Sequence, residues 1–222
     1  MFCRFMPQIS YFCLSAFHKE TMTLDQPITR LDQLDPLGIY SYADYLKWQF
    51  EERVELFKGK LLPMAAPNRM HQRYSSRLTL SIGNCLAGKS CELYVAPFDV
   101  RLPDSKRTPR FDGDVYTVVQ PDLCIICDAE KLDDRGCLGA PDLVIEILSP
   151  GNTCKEMNNK FRLYEEAGVR EYWVVEPADK FVLIYVLRDG EYVGLRPATD
   201  DQLLTSTTLP DLTIDLATVF AE

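Results

Sequence analysis

The chain has 222 residues, of which 46% are hydrophobic and 26% charged, and its formal net charge is −9. This composition excludes fibrous and intrinsically disordered classes, and the length is sufficient for a globular domain with a buried core. The negative charge disfavours a nucleic-acid partner, but it is unevenly spread. Residues 176–222 contain nine acidic and three basic side chains, so residues 1–175 carry only −3 of the −9.

The first 38 residues are expected to be a leader that lies outside the fold. Residues 9–17 are apolar but too short to span a bilayer, and no small-residue cleavage site follows them. Patterned sequence begins only after Met22, so translation starts at either Met1 or Met22. We expect residues 39–222 to form one domain, in the cytoplasm and without a membrane partner.

Two helices and a hairpin are predicted in the first part of this domain. Residues 40–52 have a helical pattern. Residues 54–57 and 60–63 flank a Lys58-Gly59 turn and predict a β-hairpin. From about Met70 to Ala87, apolar residues recur at spacings of three and four, which predicts an amphipathic helix ended by Gly88.

Three strands follow, at residues 92–102, 121–127 and 141–148. The segment 103–114 between the first two is charged and is expected to be a mobile loop. It contributes to a candidate basic surface, for which a solvated loop is the alternative interpretation. The cationic residues of this surface are Arg101, Lys106, Arg107 and Arg110.

The cysteines are interpreted as free thiols, buried in a reducing cytoplasm. Cys124 and Cys127 form a C-x-x-C motif, but it lies inside a predicted strand. Residues three apart in a strand point to opposite faces, so this pair is poorly suited to hold one zinc ion. The sequence contains no second motif of this kind and no His pair to complete a zinc site.

The last part of the chain alternates between helix and strand. A helix is predicted at 155–167 and a strand at 171–175. A hairpin follows at 181–187 and 192–195 around Asp189-Gly190, with a short strand near 212–216. The order of elements predicts a mixed α/β fold. We expect a central mixed sheet flanked by helices, with additional β-hairpins.

Two carboxylates occupy positions where an unpaired charge would be costly. Glu146 lies in the middle of an otherwise apolar strand, and Asp122 leads into the preceding apolar strand. A buried carboxylate needs a cation or a metal ion as its partner. Two acids on adjacent strands form the type of oxygen site that Mg²⁺ selects.

Lys160 is the predicted counter-charge. On a helical projection it lies within the apolar face of the helix at 155–167, between Ala167 and Tyr164. Lysine is seldom placed inward without an opposite charge. If this helix packs on the sheet face that carries Glu146, the ammonium group can reach the carboxylate pair.

These residues and their surroundings resemble the Uma-type family of restriction endonucleases, a branch of the PD-(D/E)XK nuclease superfamily. The resemblance extends from about Tyr40 to Phe220. It includes His71 at the opening of a helix and the pattern Lys160, Tyr164 and A-G-V-R-E-Y-W at 167–173. It further includes E-L-F-K-G-K-L at 55–61, Q-P-D-L at 120–123 and A-P-D-L-V-I-E-I-L-S-P at 140–150.

The resemblance implies a restriction-endonuclease-like core and a metal-dependent mechanism. Asp122 and Glu146 would hold Mg²⁺ or Mn²⁺. Superfamily members usually carry a lysine two residues after the second acid, where this chain has Leu148. The family instead takes its lysine from the following helix, here Lys160. Asp142 is the alternative to Asp122, although it shares a strand with Glu146, whereas superfamily acids come from adjacent strands.

Glu55 and His71 are further candidates for catalytic roles. The resemblance implies that Glu55 completes the metal shell or positions the lysine, and the alternative is a surface carboxylate. His71 would contact phosphate or support a metal ligand, and the alternative is a hydrogen-bonded core residue.

The function implied is an endonuclease that hydrolyses phosphodiester bonds in nucleic acid, for which we expect DNA. A homodimer would be the simplest way to cut both strands. The alternative function is an inactive or weakly active nuclease fold that binds nucleic acid or a protein partner.

Overall fold

The computed structural model describes residues 27–104, 112–150 and 154–221. Its helices are α1 (Tyr42–Tyr45), α2 (Arg69–Leu86), α3 (Cys154–Ala167) and α4 (Leu216–Phe220). The first eight strands are β1 (Val54–Phe57), β2 (Lys60–Pro63), β3 (Glu92–Val95), β4 (Val100–Arg101), β5 (Val118–Val119), β6 (Leu123–Ile126), β7 (Leu132–Asp133) and β8 (Gly136–Leu138). The others are β9 (Leu143–Ile147), β10 (Glu171–Glu176), β11 (Phe181–Arg188), β12 (Glu191–Gly194), β13 (Ala198–Thr199), β14 (Leu203–Thr205) and β15 (Thr213–Asp215).

The central sheet is mixed, as predicted. Its strand order is β12-β11-β10-β9-β6-β3, and β13 pairs with β11. Strands β9 and β10 are parallel and are connected through α3, whereas β6 and β11 run antiparallel to their neighbours. The parallel register places Val174 beside Glu146. The carboxyl ends of β9 and β10 therefore meet at one edge of the sheet.

A second sheet packs near the first and has the order β2-β1-β5-β4-β8-β7. It contains the predicted hairpin of β1 and β2, in which Leu56 pairs with Leu61. The pattern analysis did not predict the short strands β5, β7 and β8. Two-residue strands such as β5 carry too little periodicity to be recognised, since their identity depends on the partners they find in the folded chain.

The two faces of the central sheet bury different helices. The Leu143, Ile145 and Ile147 side chains belong to the same core cluster as Leu78 and Ile82 of α2. Val144 and Val174 point to the opposite face and pack with Leu163 and Tyr164 of α3. Successive strand residues alternate between faces, so Glu146 lies on the same face as α3. Helices thus flank the sheet as predicted.

Helix α2 begins at an asparagine cap. The Asn68 side chain accepts a hydrogen bond from the His71 backbone N–H at 2.9 Å. This contact satisfies one of the free N–H groups of the first turn. The buried face of the helix contains His71, Tyr74, Leu78 and Ile82, which recur at spacings of three and four. The cap and the apolar stripe together fix where His71 lies.

Two predicted elements are wrong in extent. The helix predicted at 40–52 is confined to α1, because Trp48 instead pairs with Ile28 in an isolated β-bridge and packs on Tyr45. The single strand predicted at 92–102 is divided between the two sheets as β3 and β4. Pro97, which has no N–H to donate to a ladder, lies at the break.

The interpretation of all cysteines as free thiols is also wrong. Cys127 is disulfide-bonded to Cys91, because the register of β3 and β6 places these residues opposite each other at the strand ends. Cys124 is a buried free cysteine. The two residues of the C-x-x-C motif pack in different core clusters on opposite faces of the sheet, as the strand geometry predicts.

Arg101 does not belong to a basic surface, because its side chain is buried. Arg101 is 2% exposed, and its guanidinium donates to Asp133 at 2.7 Å and to the Cys137 carbonyl. Strand β4 turns this side chain toward Tyr42 of α1, with the guanidinium 5.3 Å from the ring centroid, and Asp133 compensates its charge. Lys106, Arg107 and Arg110, with most of the loop predicted to be mobile, lie outside the described residues.

Most of the predicted leader, residues 1–26, also lies outside the described residues. The part that is described is attached to the fold, since the Ile28 carbonyl accepts a hydrogen bond from the Gln49 N–H. Within the described ranges, no helix combines the length and the apolar character needed to cross a membrane.

Candidate active site

Five side chains from five different elements converge beside the carboxyl end of β9. The residues are Glu55 on β1, His71 in the first turn of α2, Asp122 immediately before β6, Glu146 on β9 and Lys160 on α3. All five were singled out in the sequence, and the structure brings them together.

Glu146 is the centre of this group. Its side chain is 8% exposed, and its Oε1 accepts hydrogen bonds from Lys160 Nζ and from the Tyr164 hydroxyl, both at 2.7 Å. Burial raises the pKa of Glu146 to about 7, while Lys160 opposes the shift and the charges of Asp122 and Glu55 add to it. The carboxyl group is therefore held close to the point at which it gains or loses a proton at neutral pH.

Lys160 lies between two carboxylates. Its Nζ is 2.7 Å from Glu146 Oε1 and 3.7 Å from Glu55 Oε1. Burial on its own would lower the pKa of this lysine, but the combined attraction of Glu146, Glu55 and Asp122 raises it. Lys160 is consequently a fixed positive charge. Its inward placement agrees with the prediction made from the helical projection.

Asp122 and His71 form a second contact within the group. His71 Nε2 is 3.0 Å from Asp122 Oδ2, and the same oxygen accepts the Ile147 backbone N–H at 2.8 Å. This hydrogen bond joins the start of β6 to the end of β9, where the antiparallel register places Asp122 opposite Glu146. His71 Nδ1 is buried and has no hydrogen-bond partner among the described residues.

Glu55 is buried rather than on the surface. It is 6% exposed, and its Oε1 accepts the Gln120 backbone N–H at 2.9 Å. The Gln120 side chain in turn donates to Asp99 and accepts from Arg53. Sequence patterns do not identify this supporting network, because the polar residues that form it are far apart in the chain and meet only through the pairing of β1, β5 and β4.

Tyr164 was recognised only as part of an apolar helix face. It is fully buried, and burial followed by the nearby Glu146 charge raises the pKa of its hydroxyl well above the ordinary value. Tyr164 therefore acts as a neutral donor to Glu146. Its position four residues after Lys160, on the same face of α3, is the signal that could have connected it with the site.

Asp142 lies at the other end of β9. Its carboxylate accepts the Cys127 N–H at 2.7 Å and pairs with Arg170. It lies four residues before Glu146, which corresponds to a separation of about 13 Å along the strand. Its contacts secure the end of β6 and do not involve Lys160 or Asp122.

The carboxylates of the cluster outnumber its cations. Glu55, Asp122 and Glu146 carry three formal negative charges against one on Lys160. In the described part of the chain, no group of three or more His, Cys, Asp and Glu side chains is arranged so that it could hold a metal ion. Mg²⁺ needs only one or two carboxylates, because water and substrate phosphate supply its other oxygens. The donor set therefore suits this ion.

Two proteins of Synechocystis sp. have sequences similar to this chain. The chain is 26% identical over 172 residues to the uncharacterized protein slr1290 of Synechocystis sp., covering 76% of this chain and 85% of that one. It is 22% identical over 143 residues to sll1609 of the same organism, covering 62% and 75% of the two chains.

A solved structure and a family model complete the comparison. A crystal structure from Anabaena variabilis, described as "a putative nuclease belonging to DUF820", matches with a TM-score of 0.63 at 17% identity and covers 82% of this chain and 98% of that one. The fold is therefore that of this nuclease, as predicted. The model of the Uma2 family, described as "putative restriction endonuclease", matches residues 42–217. The chain belongs to the Uma2 family of restriction-endonuclease-like proteins.

Proposed function

We propose that the protein is a metal-dependent endonuclease that hydrolyses phosphodiester bonds in DNA. The observation that carries the proposal is the partly buried cluster of Asp122, Glu146 and Lys160 at the carboxyl end of β9, with Lys160 Nζ 2.7 Å from Glu146. Membership of the Uma2 family supports the same chemistry.

In this proposal Asp122 and Glu146 hold Mg²⁺ or Mn²⁺. The bound ion would lower the pKa of a water molecule and neutralise charge on the scissile phosphate. The hydrogen bonds that described residues make to Asp122 fall on Oδ2, and those to Glu146 fall on Oε1. These contacts orient each carboxylate.

The lysine and histidine have separate roles. Lys160 stays protonated and provides a fixed positive charge for the negative charge that develops on the phosphate. Glu55 is the second carboxylate that holds Lys160, through its 3.7 Å contact with Nζ. His71 orients Asp122 through Nε2.

Assembly and location are part of the same proposal. A two-fold homodimer would present one such site to each strand of a duplex. We place the protein in the cytoplasm, where it would encounter its DNA substrate. Sedimentation velocity of the full chain, with and without a duplex, tests the assembly. A protein that remains a monomer in both conditions would contradict it.

Cleavage of supercoiled plasmid tests the activity. We expect nicked and linear products with Mg²⁺ or Mn²⁺, none with EDTA, and losses of roughly 100-fold or more for Glu146→Gln and Lys160→Met. Glu130→Gln, which neutralises an exposed carboxylate outside the cluster, is the matched control. Cleavage by both site variants at the wild-type rate would refute the assignment.

A thermal shift separates this proposal from a nuclease fold that only binds. A catalytic metal site predicts that Mn²⁺ raises the midpoint of thermal unfolding of the wild type and that Glu146→Gln abolishes the increase. A wild type that binds DNA but neither cuts it nor responds to Mn²⁺ would instead favour the inactive module.

A further inference from the structure

A recess of about 420 Å³ opens between the start of α2, the turn after β10 and the end of α4. Its apolar lining includes Met70, Tyr74, Pro177 and Phe220. Arg73 and Lys180 add two basic side chains, and within the described part of the chain no acidic side chain lines it. This is unusual in a chain with 33 acidic and 24 basic residues.

The two cations are unpaired within the described ranges. Neither Arg73 nor Lys180 lies within ion-pair distance of a described carboxylate. By contrast, Lys58, Arg101, Arg135 and Arg170 each form an ion pair with a described carboxylate. Both charges in the recess are therefore available to an external anion.

The recess lies at the same edge of the central sheet as the carboxylate cluster. Met70 directly precedes His71 in the first turn of α2. Pro177 and Lys180 follow the carboxyl end of β10, which is the parallel neighbour of β9. Glu146 is the second-last residue of β9. The recess is on the α2 face of the sheet and Glu146 is on the α3 face, so a polymer bound at the cluster would reach the recess by passing over this shared edge.

We propose that Arg73 and Lys180 form a phosphate-binding rim that holds the nucleic-acid backbone next to the scissile bond. This inference rests on the proposed nuclease function, and it assigns the path of the bound nucleic-acid backbone across the protein surface. Two cations beside an exposed methionine, 42% accessible, fit a strand that presents phosphates and sugar faces together. The positive end of the α2 dipole adds to the attraction.

Salt dependence of DNA binding tests the rim. The probe is a fluorescein-labelled 20-base-pair duplex, titrated by anisotropy with Ca²⁺ present at several NaCl concentrations. Each lost phosphate contact reduces the slope of log affinity against log salt by about 0.9, so Arg73→Gln/Lys180→Gln should reduce it by about 2. Affinity at 0.1 M salt should fall roughly tenfold to a hundredfold.

The matched control removes two positive charges that also have no ion pair within the described ranges but that do not line the recess. Arg188 ends β11 at the end opposite to Lys180, and Arg196 follows β12. Arg188→Gln/Arg196→Gln should leave the slope and affinity close to wild type. Equal losses in both double variants, or no loss in either, would overturn the rim.

The outcome separates the rim from the cleavage chemistry. A rim-dependent slope in a protein that never cuts DNA would support the rim and refute the nuclease. Cleavage that depends on Glu146, together with a wild-type slope for DNA binding by Arg73→Gln/Lys180→Gln, would support the nuclease and refute the rim. A wild type that does not bind the duplex would overturn the rim.

Discussion

Glu146 combines burial with a position next to two further carboxylates. Its pKa is raised to about 7, first by burial and then by Asp122 and Glu55, although Lys160 opposes the shift. Folding therefore disfavours the charged form of this group in the metal-free protein. Its contribution to stability is fully present below the pKa of the unfolded chain, near 4.5, and is lost as pH rises through 7.

The raised pKa of Glu146 predicts how the free energy of unfolding changes with pH. In EDTA, the free energy of unfolding of the wild type should fall relative to that of Glu146→Gln by about 1 kcal/mol per pH unit between pH 5 and 7. Urea unfolding at pH 5, 6, 7 and 8 measures both proteins. Parallel profiles for the two proteins would show that Glu146 does not titrate as its surroundings indicate.

The Tyr164 hydroxyl should matter through the orientation of Glu146. Tyr164→Phe removes one of the two donors to Oε1 and should weaken Mn²⁺ binding about tenfold, as is typical for groups that orient metal ligands. Tyr185→Phe is the matched control, because Tyr185 belongs to the same aromatic cluster but does not contact Glu146. Isothermal titration with Mn²⁺ measures both, and equal affinities would contradict this role.

The sequence predicted the charged members of the cluster better than the neutral ones. Glu146 and Lys160 stand out because each interrupts an apolar pattern with a charge that needs a partner. Tyr164 fits an apolar helix face, so its hydroxyl gives no signal. The contact from Gln120 to Glu55 uses a backbone N–H, which every residue but proline possesses.

At the scale of elements, the first turn of α2 has both a structural and a site role. The Asn68 cap holds the helix start at which His71 contacts Asp122. Asn68→Ala should lower the free energy of unfolding by about 1 kcal/mol. Asn84→Ala, an exposed position near the other end of α2, should cost less than half of this. Urea unfolding compares the two, and equal effects would show that the cap contributes nothing.

Strand β10 is joined to the C-terminal segment by a buried carboxylate. Glu171 is fully buried and accepts hydrogen bonds from Trp173 Nε1, Ser206 Oγ and the Thr208 N–H, at 2.7 to 2.8 Å. Glu171→Ala leaves these donors unsatisfied and should lower the free energy of unfolding by more than about 3 kcal/mol. Exposed Glu191→Ala should change it by less than about 0.5 kcal/mol. A small effect of Glu171→Ala in urea unfolding would contradict this role.

Elements with strong local patterns were predicted well, and those set by distant partners were not. Helix α2 has its apolar stripe and its cap within one continuous segment. Strands β3 and β4 belong to different sheets although they are four residues apart, and no local pattern specifies that separation. The pairing of Cys91 with Cys127 likewise depends on a register between strands.

At the scale of the whole molecule, the cluster lies where the two sheets meet. Glu55 comes from the hairpin sheet, whereas Glu146 comes from the central sheet and Lys160 from the helix that covers it. Their convergence therefore depends on the packing of both sheets. Arg73 and Lys180 line the recess beside the cluster, so this surface carries positive charge although the chain as a whole is acidic.

The most direct test of the proposed site compares the two acids that could supply its second carboxylate. The rate of Mn²⁺-dependent plasmid nicking should fall roughly 100-fold or more in Asp122→Asn, which touches His71 and the end of β9. Asp142→Asn removes the same charge at the other end of β9, and its nicking rate should be within a few-fold of the wild-type rate. Thermal unfolding establishes that this variant is folded. Equal rates in the two variants, or a greater loss in Asp142→Asn, would contradict the site.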